Sequence, residues 1–274
     1  MAYASTIQIR DVWAENLESE FELIRSLIDN FTFISMDTEF PGIVFKPENG
    51  SSHKNLPPKA NYSLLKQNVD ALKIIQVGLT LSDSEGNMPD LGNPKYRYIW
   101  QFNFCDFNVA KDQQAADSIE LLRNSGIDFD KNLKLGVKSV KFAELMMSSG
   151  LVCSDIEVTW VTFHCTYDFA YLLKVLTQLP LPSELSKFKD MVEIFFGERV
   201  FDVKFMIMFL DGLYGGLNTV AKSLLLERIV GQSHTAGSDS LLTWMVFQRL
   251  RDLYFNTPDR IAKYAGKLYG LESS

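Results

Sequence analysis

The chain has 274 residues, 46% of them hydrophobic and 22% charged, with a formal net charge of −7. That is enough apolar material for one domain spanning residues 1–274, while the acidic balance excludes a broad basic surface that holds nucleic acid by displacing counterions from many phosphates. Three cysteines, no basic-then-apolar leader and no apolar run near the roughly 18 residues of a membrane span predict a soluble intracellular protein without a disulfide framework.

The first predicted element is an amphipathic helix across residues 9–30, because Trp13, Leu17, Phe21, Ile24 and Ile28 recur at steps of three and four. FTFISM, at 31–36, is β-branched and aromatic and predicts a buried strand with Asp37 at its end. Residues 46–59 concentrate Pro, Asn, Ser, Gly and Lys and read as a solvated loop. LKIIQVGLTLSD (72–83) and YRYIWQFNF (96–104) flank a cluster of turn formers and predict a strand pair.

Helical spacing in AADSIELLRNSG and VKFAELMMSSG ends at Gly126 and Gly150, whose missing Cβ suits a left-handed helix cap. VTWVTFH (158–164) reads as a strand and YDFAYLLKVLTQ as a helix, and from Pro182 onward the pattern is almost wholly helical. This order predicts an α/β fold with a mixed central sheet flanked by helices and a mostly helical C-terminal half. Gly215-Gly216 lacks the flanking strand and Lys of a phosphate loop. The apolar run 201–214 reads as helix core first and as a docking face second.

Side chains alternate along a strand, so Asp37 and Glu39 project to one face with Thr38 on the other, and two carboxylates can share an ion. Asp168 follows the strand 158–164 at the start of a helix, and Asp239 opens the helix SDSLLTWMVFQRL. At both places an acid also suits the positive end of the helix dipole. His234 precedes Asp239 by five positions in a polar stretch that can hold an imidazole near the same ion. Each feature alone has an ordinary structural explanation; four acids with one imidazole are the inventory of a two-metal phosphodiesterase. His164 reads first as a hydrogen-bonded core residue and second as a flank of the site, and His53 reads as a loop residue.

MDTEF, YDF and HTAGSD resemble the three motifs of the DEDDh 3'-to-5' exonucleases, whose last motif is His, four residues, Asp. The surrounding text, including FPGIV, NVDALKIIQVGLTL, WQFNF, GGLNTVAKSLLLERI and GSDSLLT, resembles the CAF-type (Pop-type) mRNA deadenylase, catalytic subunit of the CCR-NOT complex, over roughly residues 9–252. The resemblance implies a single ribonuclease H-like exonuclease domain and a metal-dependent, poly(A)-specific 3'-to-5' exoribonuclease that releases 5'-AMP. It implies two divalent cations, Mg²⁺ or Mn²⁺. In the implied roles Asp37 bridges both ions, Glu39 and Asp239 hold the ion carrying the attacking water, Asp168 supports the other, and His234 is the general base.

The resemblance also places Phe40, Pro41 and the Ser240–Leu242 segment near the terminal nucleotide. Its implied partners are RNA, a helical scaffold subunit and a second deadenylase, with no membrane and a cytoplasmic and nuclear location. A DNA-directed DEDDh exonuclease and a non-catalytic adaptor are the alternatives. A pure adaptor has no reason to keep a cluster of acids that repels itself without metal. On this reading Asp37→Ala or Asp239→Ala abolishes turnover and leaves the fold nearly intact.

Overall fold

Six apolar or alternating runs pair into one sheet in the computed structural model, which describes residues 6–47, 56–164 and 166–272. His53 with most of the expected 46–59 loop, and Cys165, lie outside the described residues. The elements in chain order are β1 (Thr6–Val12), α1 (Leu17–Leu27), β2 (Phe33–Glu39), α2 (Pro58–Ala71), β3 (Gln76–Ser82), β4 (Tyr96–Asn103), α3 (Ala116–Asn124), α4 (Phe129–Leu135) and α5 (Ser139–Met147). There follow β5 (Thr159–Thr162), α6 (Thr166–Thr177), α7 (Leu185–Phe196), β6 (Val200–Asp202), α8 (Val203–Ile207), α9 (Leu217–Ser223), α10 (Ala236–Leu253) and α11 (Pro258–Ala262). The strand order is β1-β4-β3-β2-β5-β6. β3 is antiparallel to both of its neighbours, and the other pairs are parallel, so the sheet is mixed as expected.

The predicted helix over 9–30 is corrected to a strand followed by a shorter helix. Residues 6–12 pair in parallel with β4, and helix begins only at Leu17. Helical spacing through Trp13 is fortuitous, because TIQIRDV is also β-competent and the open edge of β4 decides its state. β2 runs on to Glu39 because β3 supplies partners down to Gln76, so Asp37 sits inside the strand.

The expected loop ends early. α2 starts at Pro58, where a missing N–H is harmless, and buries Tyr62, Leu65 and Val69 at steps of three and four. Its C-terminal end is closed from a distance. Lys174 Nζ donates to the carbonyls of Val69, Asp70 and Leu72 at 2.8, 3.0 and 2.8 Å. The short α4 and the three-residue β6 are also additions to the sequence reading, and β6 exists through its pairing with β5. Gly126 and Gly150 do adopt φ of +95° and +82°.

Pleating gives the two faces of β2 different neighbours. Ile34 and Met36 join the large core with α1, α2, α5 and α6, while Phe33 on the other face packs its ring 5.5 Å from that of Trp244 in α10. Asp37 and Glu39 share the parity of Phe33, and Thr38 shares that of Met36. The acids therefore face α10 and Thr38 faces α6. In the 201–214 run, Phe201, Val203, Met206, Ile207 and Leu213 are buried, while Met208, Phe209 and Tyr214 are exposed.

Candidate active site

Thr38 is the link between β2 and α6. Its main-chain N–H and its hydroxyl both donate to Asp168 Oδ1, at 2.9 and 2.6 Å. Asp168 lies in the first turn of α6 and is buried. Burial first, and then the charge of the buried Asp202 of β6, raise its carboxyl to about 7 against the opposing pull of the Thr38 hydrogen bonds.

A second close approach brings α10 to the sheet. Gly78 on β3 is paired with Asp37, and a Cβ at Gly78 would stand 1.9 Å from the Ala236 carbonyl oxygen. Only a residue without a side chain lets the helix start so near the strand. The exposed N–H groups of that start are met by the sheet itself. Ala236 N–H donates to Gln76 Oε1 at 3.3 Å and Gly237 N–H to Gln101 Oε1 at 3.1 Å, where Thr235 provides no side-chain cap. Ser240 Oγ adds a 2.9 Å bond to Thr80 Oγ1.

This docking sets Asp239, in the first turn of α10, over the face of β2 that carries Asp37 and Glu39. His234 sits just before the helix in a left-handed conformation, φ +62°, and its N–H donates to Asp239 Oδ2 at 2.9 Å. One ligand atom each from Glu39, His234 and Asp239 fall within 4.8 Å of one another. Asp37 is pushed well above the usual carboxylate range, first by desolvation and then by the charges of Asp239, Asp168 and Glu39. Glu39 is raised by desolvation, Asp239 and Asp168. All five sequence-predicted residues thus converge, drawn from β2, α6 and the start of α10.

One residue of the cluster was not anticipated. Arg228 Nη2 lies 2.5 Å from Asp239 Oδ1, and its charge opposes the upward shifts of Asp37 and Glu39. Nothing in LLLERIV distinguishes this arginine from a solvated one, because the contact depends on a loop closing over α10.

Two other expectations change. Ser240, Leu241 and Leu242 are buried in packing contacts and present no surface to a nucleotide. Phe40 is stacked on Tyr167 and Tyr171, with ring centroids 5.1 and 4.8 Å away. His164 is exposed and not a core residue: β5 ends two residues before it, its φ is +67°, and its ring meets Tyr269 edge-on at 4.9 Å.

Oxygen-rich donor sets of this kind suit hard divalent ions, and a cluster in which neighbouring acids raise the proton affinity of Asp37 and Glu39 is a site built for added positive charge. Comparison with known proteins agrees with that chemistry. The model of the CAF1 family ribonuclease matches residues 12–149, and a probable CCR4-associated factor 1 homolog of Arabidopsis thaliana is 51% identical over 97% of this chain and 93% of its own length.

The chain belongs to the CAF1 ribonuclease family.

Among CAF1-type relatives, the poly(A) ribonuclease pop2 of Schizosaccharomyces pombe is 46% identical over 97% of this chain and 76% of its own length. A structure of S. pombe Pop2p in its Mg²⁺- and Mn²⁺-bound form superposes with a TM-score of 0.86 at 46% identity, covering 96% of this chain and 99% of that one. The yeast CAF1 structure obtained with the NOT1 MIF4G domain gives a TM-score of 0.76 at 34% identity, with 96% of both chains covered. The mixed α/β sheet is therefore the ribonuclease H-like fold of the Pop2 nucleases.

Proposed function

We propose that this CAF1-family chain is a divalent-metal-dependent 3'-to-5' exoribonuclease that shortens the poly(A) tails of mRNA and releases 5'-AMP. The observation that carries the reading is the convergence of Asp37, Glu39, Asp168 and Asp239 with the His234 imidazole beside them. The likeness to pop2, a poly(A) ribonuclease, supports the substrate.

The four carboxylates are the residues that would hold two Mg²⁺ or Mn²⁺ ions, the ions of the Pop2p structure. Such a pair, when bound, stabilises charge on the attacking and departing oxygens of a phosphodiester. The chain's own residues do the rest. β2 presents Asp37 and Glu39 together, Thr38 fixes Asp168, and His234 takes the proton from the attacking water. Imidazole is the side chain that most often serves as a general base in such transfers.

Partners follow from the same likeness: a helical scaffold of the NOT1 MIF4G type and, through the complex, a second deadenylase. No helix among the described residues is long and apolar enough to cross a membrane. A cytoplasmic and nuclear location belongs to this reading, as does a single domain, which is supported by a sheet that runs unbroken from β1 to β6.

The test is tail shortening by the purified chain on an adenosine-tailed RNA and on DNA of equal length, each with Mg²⁺ or EDTA. RNA shortening that EDTA stops is expected. Preference for DNA, or no activity of any kind in the intact complex, rejects the reading in favour of a DNA exonuclease or an adaptor. His234→Ala lowers kcat by about 10² to 10⁴, the usual worth of a positioned base.

A further inference from the structure

We propose that Arg228 is a positioning residue that clamps the His234-bearing segment to the first turn of α10 and thereby sets the base and Asp239 relative to each other. This rests on the reading of His234 and Asp239 given above, and it goes beyond the five predicted residues.

The guanidinium reaches four groups at once. Nη2 pairs with Asp239 Oδ1 at 2.5 Å and donates to Asn218 Oδ1 of α9 at 2.8 Å. Nη1 donates to Ser238 Oγ at 2.5 Å and, at 3.4 Å, to the Gln232 carbonyl. These partners come from α9, from the segment before His234 and from α10. Asn218 and Ser238 extend the clamp: Asn218 Nδ2 donates to Ser233 Oγ at 2.8 Å, and Ser238 Oγ donates to the Val230 carbonyl at 2.5 Å.

Asp239 transmits the constraint. One of its oxygens meets Arg228 and the other accepts the N–H of His234. The backbone of His234 is held at φ +62°, a region L residues leave unless their surroundings over-determine it. Anchors on both sides, at Gln232 and Ser233 before it and at Asp239 after it, supply that determination. Without Arg228 the Asp239 carboxylate loses its fixed partner, and the backbone that carries the imidazole loses its anchor.

Shape matters here as well as charge. A planar fork with five N–H donors can serve several acceptors from different elements, and a lysine ammonium on a flexible stem cannot hold the same set. Arg228 also lies only 16% exposed, against an Asp239 side chain 10% exposed, so solvent does not substitute for the contacts.

The test uses Arg228→Lys, Arg228→Met and Asn218→Ala in the full chain. Amide hydrogen exchange is followed across residues 229–240 in metal-free protein, and kcat and KM are measured on adenosine-tailed RNA with saturating Mn²⁺. Both Arg228 variants should speed exchange at His234 by tenfold or more and lower kcat by tenfold or more, with KM within threefold. Asn218→Ala, which leaves the ion pair intact, should speed exchange at Ser233 and His234 by about threefold.

Wild-type exchange and kcat in Arg228→Met overturn the proposal, as does full rescue by Arg228→Lys, which would leave charge alone as the role. A change confined to KM overturns it in favour of substrate binding. Should the Arg228 variants fail to fold, unchanged exchange in Asn218→Ala overturns it. Because exchange is read without metal or RNA, an error in the assigned activity shows up as an inactive wild type, separately from a failure of the clamp.

Discussion

Thr38 donates twice to a single oxygen of Asp168, once from the main chain at 2.9 Å and once from its hydroxyl at 2.6 Å. The residue that separates Asp37 from Glu39 on the strand thus fixes the acid supplied by α6, 130 positions later. Strand alternation serves both faces: the odd positions point at α10, and the even one secures the third carboxylate.

Thr38→Val keeps the shape of the side chain and removes the hydroxyl. A hydrogen bond to a buried carboxylate is worth about 1.5–3 kcal/mol, so the metal-free variant should melt several degrees below wild type at pH 8. Turnover should fall by about tenfold, since an acid displaced by a fraction of an ångström no longer serves its ion well. Differential scanning fluorimetry in EDTA and a tail-shortening rate measure the two effects; wild-type values in both would detach Thr38 from the site.

The metal-free protein should lose stability as pH rises from about 4 to about 7. Asp168 is raised from 3.8 to about 7 by burial, and Asp37 and Glu39 are raised in the same direction. Within that window the folded chain keeps protons that the unfolded chain has released, so stability declines with pH. Asp202, Asp239, Arg228 and His234 are the other charged or titratable groups facing this cluster. Added Mn²⁺ should therefore raise the melting temperature more at pH 8 than at pH 5. A metal-free melting temperature that climbs between these values contradicts the sign.

Asp37→Ala and Asp239→Ala should both abolish turnover, yet they should move stability in opposite directions. Asp37 is surrounded by carboxylates, and its removal relieves repulsion in metal-free protein. Asp239 pairs with Arg228 and accepts the His234 N–H, so its removal strands a guanidinium and costs about 2 kcal/mol or more. The expectation from sequence that both variants leave the fold nearly intact is revised for Asp239. Melting curves of the two proteins in EDTA at pH 8 distinguish the cases.

Gly78→Ala tests the approach of α10. Its Cβ would sit 1.9 Å from the Ala236 oxygen and 2.5 Å from the Gly237 nitrogen, both backbone atoms that cannot rotate aside. The helix must shift, at a cost of about 1–3 kcal/mol or more, and carry Asp239 away from Asp37. Loss of both thermal stability and turnover is expected; a variant with wild-type turnover would show that α10 tolerates the displacement.

The sequence by itself determined the mixed α/β class and most strands and helices, and it singled out the five residues that the fold brings together, because period-2 and period-3.6 patterns and short motifs are local properties. It also placed Asp37 and Glu39 on one face, which follows from the pleat alone. Tertiary structure decided what local patterns leave open. Residues 6–12 became a strand because β4 offered an edge, and β6 because β5 did. Ser240–Leu242 turned inward because α10 lies against β2 and β3. The capping of α10 by Gln76 and Gln101, the hold of Thr38 on Asp168 and the reach of Arg228 to Asp239 join residues far apart in the chain or across a closed loop. Side-chain hydrogen bonds and ion pairs of that kind have no periodicity to read; they exist only once packing has brought donor and acceptor within about 3 Å.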